Sequence, residues 1–182
     1  MTDLDELADE LGVSGRTLRR AAERQTIRST RRSPRAVSVS AFEYEYVRRH
    51  WPLLERALQV LRTRPGVRLA VLFGSVARGD AGAASDVDLL VRVRGGWKER
   101  VATALALEEA LGRPVQLVDL DRAPPLLLAD VLRDGRVLAD RDREWERLVR
   151  RSRAIARAAG EEGSRLEDAA WDTLERFEEL VP

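Results

Sequence analysis

VLFGSVARGDAGAASDVDLLV, Val71 to Val91, joins two apolar runs of strand length through a Gly-Ser turn and a loop of small residues. Side chains alternate across a strand, so Asp86 and Asp88, opening the second run, project from one face. Two carboxylates that close repel one another unless a cation lies between them. An oxygen-only donor set favours Mg²⁺ or Mn²⁺, and Mg²⁺ commonly takes one or two protein carboxylates together with substrate phosphate oxygens. At the other end of the loop, Gly74 lets a backbone pass close to a phosphate. Ser75 offers a hydroxyl and an N–H at the start of the following helix, and Arg78 lies one turn on. Taken singly, these features read as an ordinary strand-to-helix turn and an acidic strand start. Together they make phosphate, cation and carboxylates converge.

The same residues carry a resemblance. Gly74-Ser75, ten residues, then Asp86-x-Asp88 is similar to the signature of the nucleotidyltransferase superfamily with a DNA polymerase β-type palm, and within it to the minimal nucleotidyltransferases. The resemblance covers roughly residues 65–140. It implies a mixed sheet with helices and transfer of a nucleoside monophosphate from an NTP to an acceptor hydroxyl, with release of pyrophosphate. By it, Gly74 and Ser75 hold the triphosphate, with Arg78 and Ser85 assisting, and Asp86 and Asp88 bind the metal and act in catalysis. Members active in catalysis usually carry a third carboxylate early in the next strand, where this chain has Gln116. Glutamine can hydrogen-bond but cannot accept the proton. Asp119, three residues on, is the substitute candidate, although it falls on the opposite face of a regular strand.

Outward from this stretch, strands and helices alternate. Val67 to Phe73, Val87 to Val93 and Pro114 to Leu120 read as strands, and Trp97 to Leu111 as a helix with Val101, Ala104, Leu105 and Leu111 on one side. A short helix after Pro124-Pro125 reaches about Asp134, followed by a brief strand, Val137 to Ala139. Beyond residue 140 helical spacing dominates. Gly160 to Gly163 interrupts it, and Ser164 with Glu167 forms a capping box, which predicts a helical hairpin.

Before the transferase stretch, residues 1–50 read as a helix-turn-helix. Thr2 caps a helix carrying Leu4, Leu7, Ala8 and Leu11, and Ser14 caps a second across a Gly12 turn. Thr26 to Arg28 and Val37 to Val39 read as strands flanking a basic loop, and Ser40 with Glu43 opens a third helix. LADELGVSGRTLRR and TIRSTRR resemble the MerR-like winged type, which implies DNA binding. Ser14, Arg16, Thr17, Arg19 and Arg20 would then face a major groove, with Arg28, Arg31, Arg32 and Arg35 touching phosphates. A solvated protein-interaction module is the competing reading. Residues 51–64 are expected to form a linker helix, and the whole chain an α+β fold in four parts: 1–50, 51–64, 65–140 and 141–182.

Composition sets the bounds. The chain has 182 residues, 44% apolar and 35% charged, with formal charge +1. From Gly12 to Ala41, however, eight arginines face a single acid, Glu23. Without cysteine, thiolate catalysis and cysteine metal sites are excluded. The lone histidine, His50, argues against histidine triads and is expected to pack at a helix end. The tryptophans are expected in core packing. The acidic start has no signal-like pattern and no run is long enough to span a membrane, so a cytoplasmic protein is expected. Two functions stay open: a Mg²⁺- or Mn²⁺-dependent transferase acting on a nucleic-acid 3′ end or a partner protein, or a DNA-binding regulator or antitoxin with a degenerate nucleotide-binding domain. The C-terminal helices offer a surface for a helical, toxin-like partner under either.

Overall fold

The computed structural model describes residues 2–31, 37–82 and 85–178, the last twelve by backbone alone. At its centre are β4 (Val67–Phe73), β5 (Val87–Val93), β6 (Val115–Asp119) and β7 (Arg136–Asp140), in sheet order β6-β5-β4-β7. β5 and β6 are parallel and the other pairs antiparallel, the mixed sheet that the alternating pattern predicts. β4 and β5 read as continuous apolar runs because both sheet faces are covered. Ala70, Leu72, Leu89 and Val91 belong to one buried cluster, whereas Leu69, Val71 and Leu90 join Val131, Trp145, Leu148 and Ile155 in another.

Helices supply both covers. α5 (Gly96–Leu111) packs beside α3 (Ala41–Arg62) on the first face. α6 (Pro125–Asp134), α7 (Glu144–Arg150) and α8 (Ser152–Glu178) lie on the second. α4 (Gly74–Arg78) is one short turn after β4, and a 3₁₀ turn, Leu120–Arg122, follows β6.

The N-terminal part contains β1 (Thr2–Asp3), α1 (Leu4–Glu10), α2 (Gly15–Glu23), β2 (Thr30–Arg31) and β3 (Val37–Val39), the strands forming an antiparallel sheet in order β1-β3-β2. Ser14 caps α2, its hydroxyl accepting from Thr17 N at 3.2 Å, and Ser40 caps α3, accepting from Glu43 N at 3.1 Å. α1 departs from expectation. Thr2 pairs with Val39 in the sheet, so Asp3 becomes the cap and accepts from Asp5 N at 2.8 Å. Thr26 to Arg28 is not a strand. Thr26 N and Ile27 N donate to Ala21 O, at 2.9 and 3.3 Å, and Arg28 N to Glu43 Oε1, so other partners take the N–H groups a ladder would use.

Two expected boundaries are also corrected. α3 runs unbroken across residues 50 and 51, with Pro52 inside it, so the third helix and the linker helix are one element. Burial of Trp51, Leu54, Ala57 and Leu61 along it offsets the proline's lost hydrogen bond. The C-terminal hairpin is absent as drawn. α8 continues through Gly160–Gly163, and the break falls earlier, at Arg151. Packing of α8 on α6, with Leu126 N donating to Glu162 Oε2 at 2.9 Å, outweighs the helix cost of two glycines. Trp51 and Trp145 are buried as expected, but Trp97 is not. His50 stacks against Tyr46 with ring centroids 4.7 Å apart, and burial lowers its pKa. Among the described residues no helix is long and apolar enough to cross a membrane.

Candidate functional site

The site forms where β4 ends and β5 begins. In their antiparallel register Phe73 lies opposite Asp88, which places the Gly74 turn directly beside that carboxylate. The contact is close enough to require glycine. Gly74 has φ +73°, and a Cβ there would lie 2.5 Å from Asp88 Oδ2. A side chain would therefore be both strained and in collision. Gly74 and Ser75 open α4, and Phe73, in the capping position, offers no side-chain oxygen. The first N–H groups of α4 thus lack a side-chain cap, and an anion seated there would satisfy them.

Asp88 is half-buried and Asp86 exposed. Burial, and next the charge of Asp86, hold the Asp88 carboxyl above its ordinary pKa. A divalent cation would relieve both causes, and two carboxylates with no competing nitrogen or sulfur ligand fit Mg²⁺ or Mn²⁺ by donor chemistry. Among the described residues no group of three or more carboxylate or imidazole side chains could hold a metal.

In the parallel pairing of β5 with β6, Asp88 lies opposite Gln116 and Val91 opposite Asp119. Gln116 is therefore the β6 residue beside the carboxylate pair. Asp119 is not brought to it. It lies three residues further along, where its carboxylate accepts from Arg100 Nη1 at 2.8 Å and from Asp121 N at 3.0 Å, capping the 3₁₀ turn. An odd register step and a standing ion pair remove it from the position the third carboxylate needs.

Arg78, at the end of α4, is exposed and paired with Asp80 at 3.1 Å. Ser85 is held in a turn, its hydroxyl accepting from Gly82 N at 3.0 Å and its carbonyl from Arg113 Nη1 at 3.4 Å.

One feature behind the turn was not read from the sequence. Arg136, fully buried, donates through Nε to Ala77 O at 2.8 Å, and its guanidinium takes both carboxylate oxygens of buried Glu43, at 2.5 and 3.0 Å. The same guanidinium lies 3.3 Å from the Tyr46 ring centroid, and Tyr46 in turn backs Gly79, the left-handed residue that ends α4. The partners are 93 positions apart, so spacing carries no trace of them. The only sequence cue is an arginine at the head of an apolar strand.

The N-terminal candidates divide. Arg16, Thr17 and Arg20 are exposed on α2, as is Arg31 in β2. Arg19 forms an ion pair with Asp5, and Arg28 donates to Asp134 O at 2.7 Å, so both are engaged within the fold. Arg32 and Arg35 lie outside the described residues.

Comparison with known proteins places this geometry. Residues 55–144 match the model of the family described as polymerase beta, nucleotidyltransferase. A protein of Methanocaldococcus jannaschii, assigned as a protein adenylyltransferase, is 31% identical over 84 residues, 45% of this chain and 90% of its own length. A toxin–antitoxin crystal structure with AMP-PNP aligns at TM-score 0.54 and 26% identity, over 65% of this chain and 98% of that one. A Shewanella oneidensis complex of a tri-AMPylated HEPN toxin with an MNT antitoxin, at TM-score 0.50 and 23% identity over 67% and 98% of the chains, shares the fold. With the Gly-Ser turn against Asp88 and a relative matched over nine-tenths of its length, this chain belongs to the polymerase beta nucleotidyltransferase family.

Proposed function

We propose that the chain is a minimal-type adenylyltransferase that moves AMP from ATP onto a hydroxyl of a partner protein. The observation that carries this reading is the contact of the Gly74 turn with Asp88, which brings an uncapped helix start and a carboxylate pair together. The α4 N–H groups and the Ser75 hydroxyl would bind the triphosphate. Arg78, released from its exposed pairing with Asp80, would approach the same phosphates. Ser85 would orient the nucleotide from the far side of the loop. Asp86 and Asp88 would hold Mg²⁺ or Mn²⁺, which when bound neutralises charge developing on the phosphate oxygens. Gln116, opposite Asp88 on β6, can align an acceptor hydroxyl by hydrogen bonding but cannot take its proton.

A protein acceptor is favoured over a nucleic-acid 3′ end by the relative assigned as a protein adenylyltransferase and by the likeness to a toxin–antitoxin structure. The implied partner is a helical, toxin-like protein. The test is to incubate the chain with labelled NTPs, Mg²⁺ or Mn²⁺, and either candidate partner protein or primer DNA. Label should pass from ATP to protein, and Asp86→Ala and Asp88→Ala should each lower it on the order of a hundredfold or more. Equal labelling by wild type and both variants would remove the reaction from this site.

A DNA-reading role for the N-terminal part is a second reading, supported by exposed Arg16, Thr17 and Arg20 on a serine-capped helix and by exposed Arg31 in β2. Arg16→Ala with Arg20→Ala should weaken duplex binding and flatten its salt dependence. Indifference to both changes in a gel-shift titration would refute it.

A further inference from the structure

α5 is apolar on two sides. Its inner side buries Thr103, Leu107 and Leu111 against the rest of the fold. Its outer side presents Trp97, Val101 and Leu105, which are 65%, 45% and 60% exposed and recur every four residues. That spacing makes one continuous stripe along the helix. Single exposed apolar side chains are ordinary, but an aligned Trp-Val-Leu row marks a contact surface.

The charges at its ends identify the occupant. Lys98, the chain's single lysine, stands at the N-terminal end beside Trp97, and exposed Glu109 at the C-terminal end, one turn past Leu105. Neither holds an ion pair among the described residues. A stripe that is basic at one end, acidic at the other and apolar between is complementary to its own copy turned end for end.

We propose that α5 is the seat of a two-fold contact between two copies of this chain, helix antiparallel to helix. Val101 of each copy then packs on Leu105 of the other, and Lys98 of each meets Glu109 of the other, twice over by symmetry. A parallel arrangement would set like charge against like. Ala102 and Ala106, beside the apolar row, leave room for two helices to approach closely. The stripe runs about 18 Å, from Trp97 to Glu109 at 1.5 Å per residue. One helix face of that length is small for an interface, so the dimer is expected to be concentration-dependent, in the micromolar range. The contact lies on the side of the α5–α3 layer that faces solvent, independent of the Gly74–Asp88 site.

Sedimentation of the full chain across a wide concentration range should show one-chain mass passing to two-chain mass. Val101→Glu and Leu105→Glu should stay single with unchanged circular dichroism. Lys98→Glu or Glu109→Lys alone should weaken association about tenfold, and the two reversals combined should restore it. Zero-length carbodiimide coupling of a mixture of isotope-labelled and unlabelled chains should join Lys98 of one copy to Glu109 of the other. A chain that remains single at millimolar concentration, a dimer indifferent to Val101→Glu, or a double reversal that fails to restore association would each overturn the proposal. Nucleotide labelling is a separate readout, so either result leaves the transferase reading standing or falling on its own evidence.

Discussion

Asp88 shows how one residue at the candidate site can cost stability. Its carboxyl is held above the ordinary range by burial and by Asp86, so ionising it is harder in the folded chain than in the unfolded one. The sign follows from linkage: a carboxyl with a raised folded pKa favours folding while protonated, and that advantage is lost as pH rises through the folded value. Without divalent ion, Asp88→Asn should therefore melt higher than wild type at neutral pH, by roughly 1–2 °C. The gap should begin to close as pH falls through the raised folded value and be gone below the ordinary carboxylate range. Thermal melts across pH in a chelator check this, and a variant that melts lower at neutral pH would show the charge to be compensated already. The sequence made this pair legible because period-two alternation dictates which residues share a face. It could not show that the same pairing sets Gly74 against Asp88, since that depends on the β4–β5 register.

Elements reveal where periodicity misleads. In α5 the spacing puts Val101, Ala104, Leu105 and Leu111 on one side, yet of these only Leu111 is buried, with Leu107 and Thr103. A helix apolar on two sides has no phase from which to choose the inner one. In α8 the glycines predict a break, but helix packing overrides a local preference of about 1 kcal/mol each. Gly160 lies within that helix, and a Cβ there meets nothing within 4 Å. Gly160→Ala should accordingly stabilise the chain by about 0.5–1 kcal/mol. Chemical denaturation measures it; a loss of stability would mean that the glycine permits a helix conformation alanine cannot adopt.

Across the whole molecule, the N-terminal part and the transferase sheet share one buried cluster, running from Leu4 and Leu18 through α3 to Leu72 and Leu89. The Glu43–Arg136 pair lies at this junction and reaches α4 through Ala77 O. Removing one partner of a buried ion pair strands the other charge, at a cost of about 3–5 kcal/mol. Glu43→Ala should lose stability of that order, and wild type and variant alike should unfold in a single transition reported equally by N-terminal and sheet probes. Two separate transitions would show that the N-terminal part is an independent unit.

By itself the sequence determined the order of strands and helices from β4 to β7, and the Gly-Ser and Asp-x-Asp residues, because period, turn chemistry and motif spacing are local properties. Only the tertiary structure decided that Gln116 rather than Asp119 lies beside the carboxylates, that Arg136 braces the short helix after β4, and which side of α5 faces solvent. Each depends on register or on partners far apart in the chain, and those are set when strands pair and faces pack.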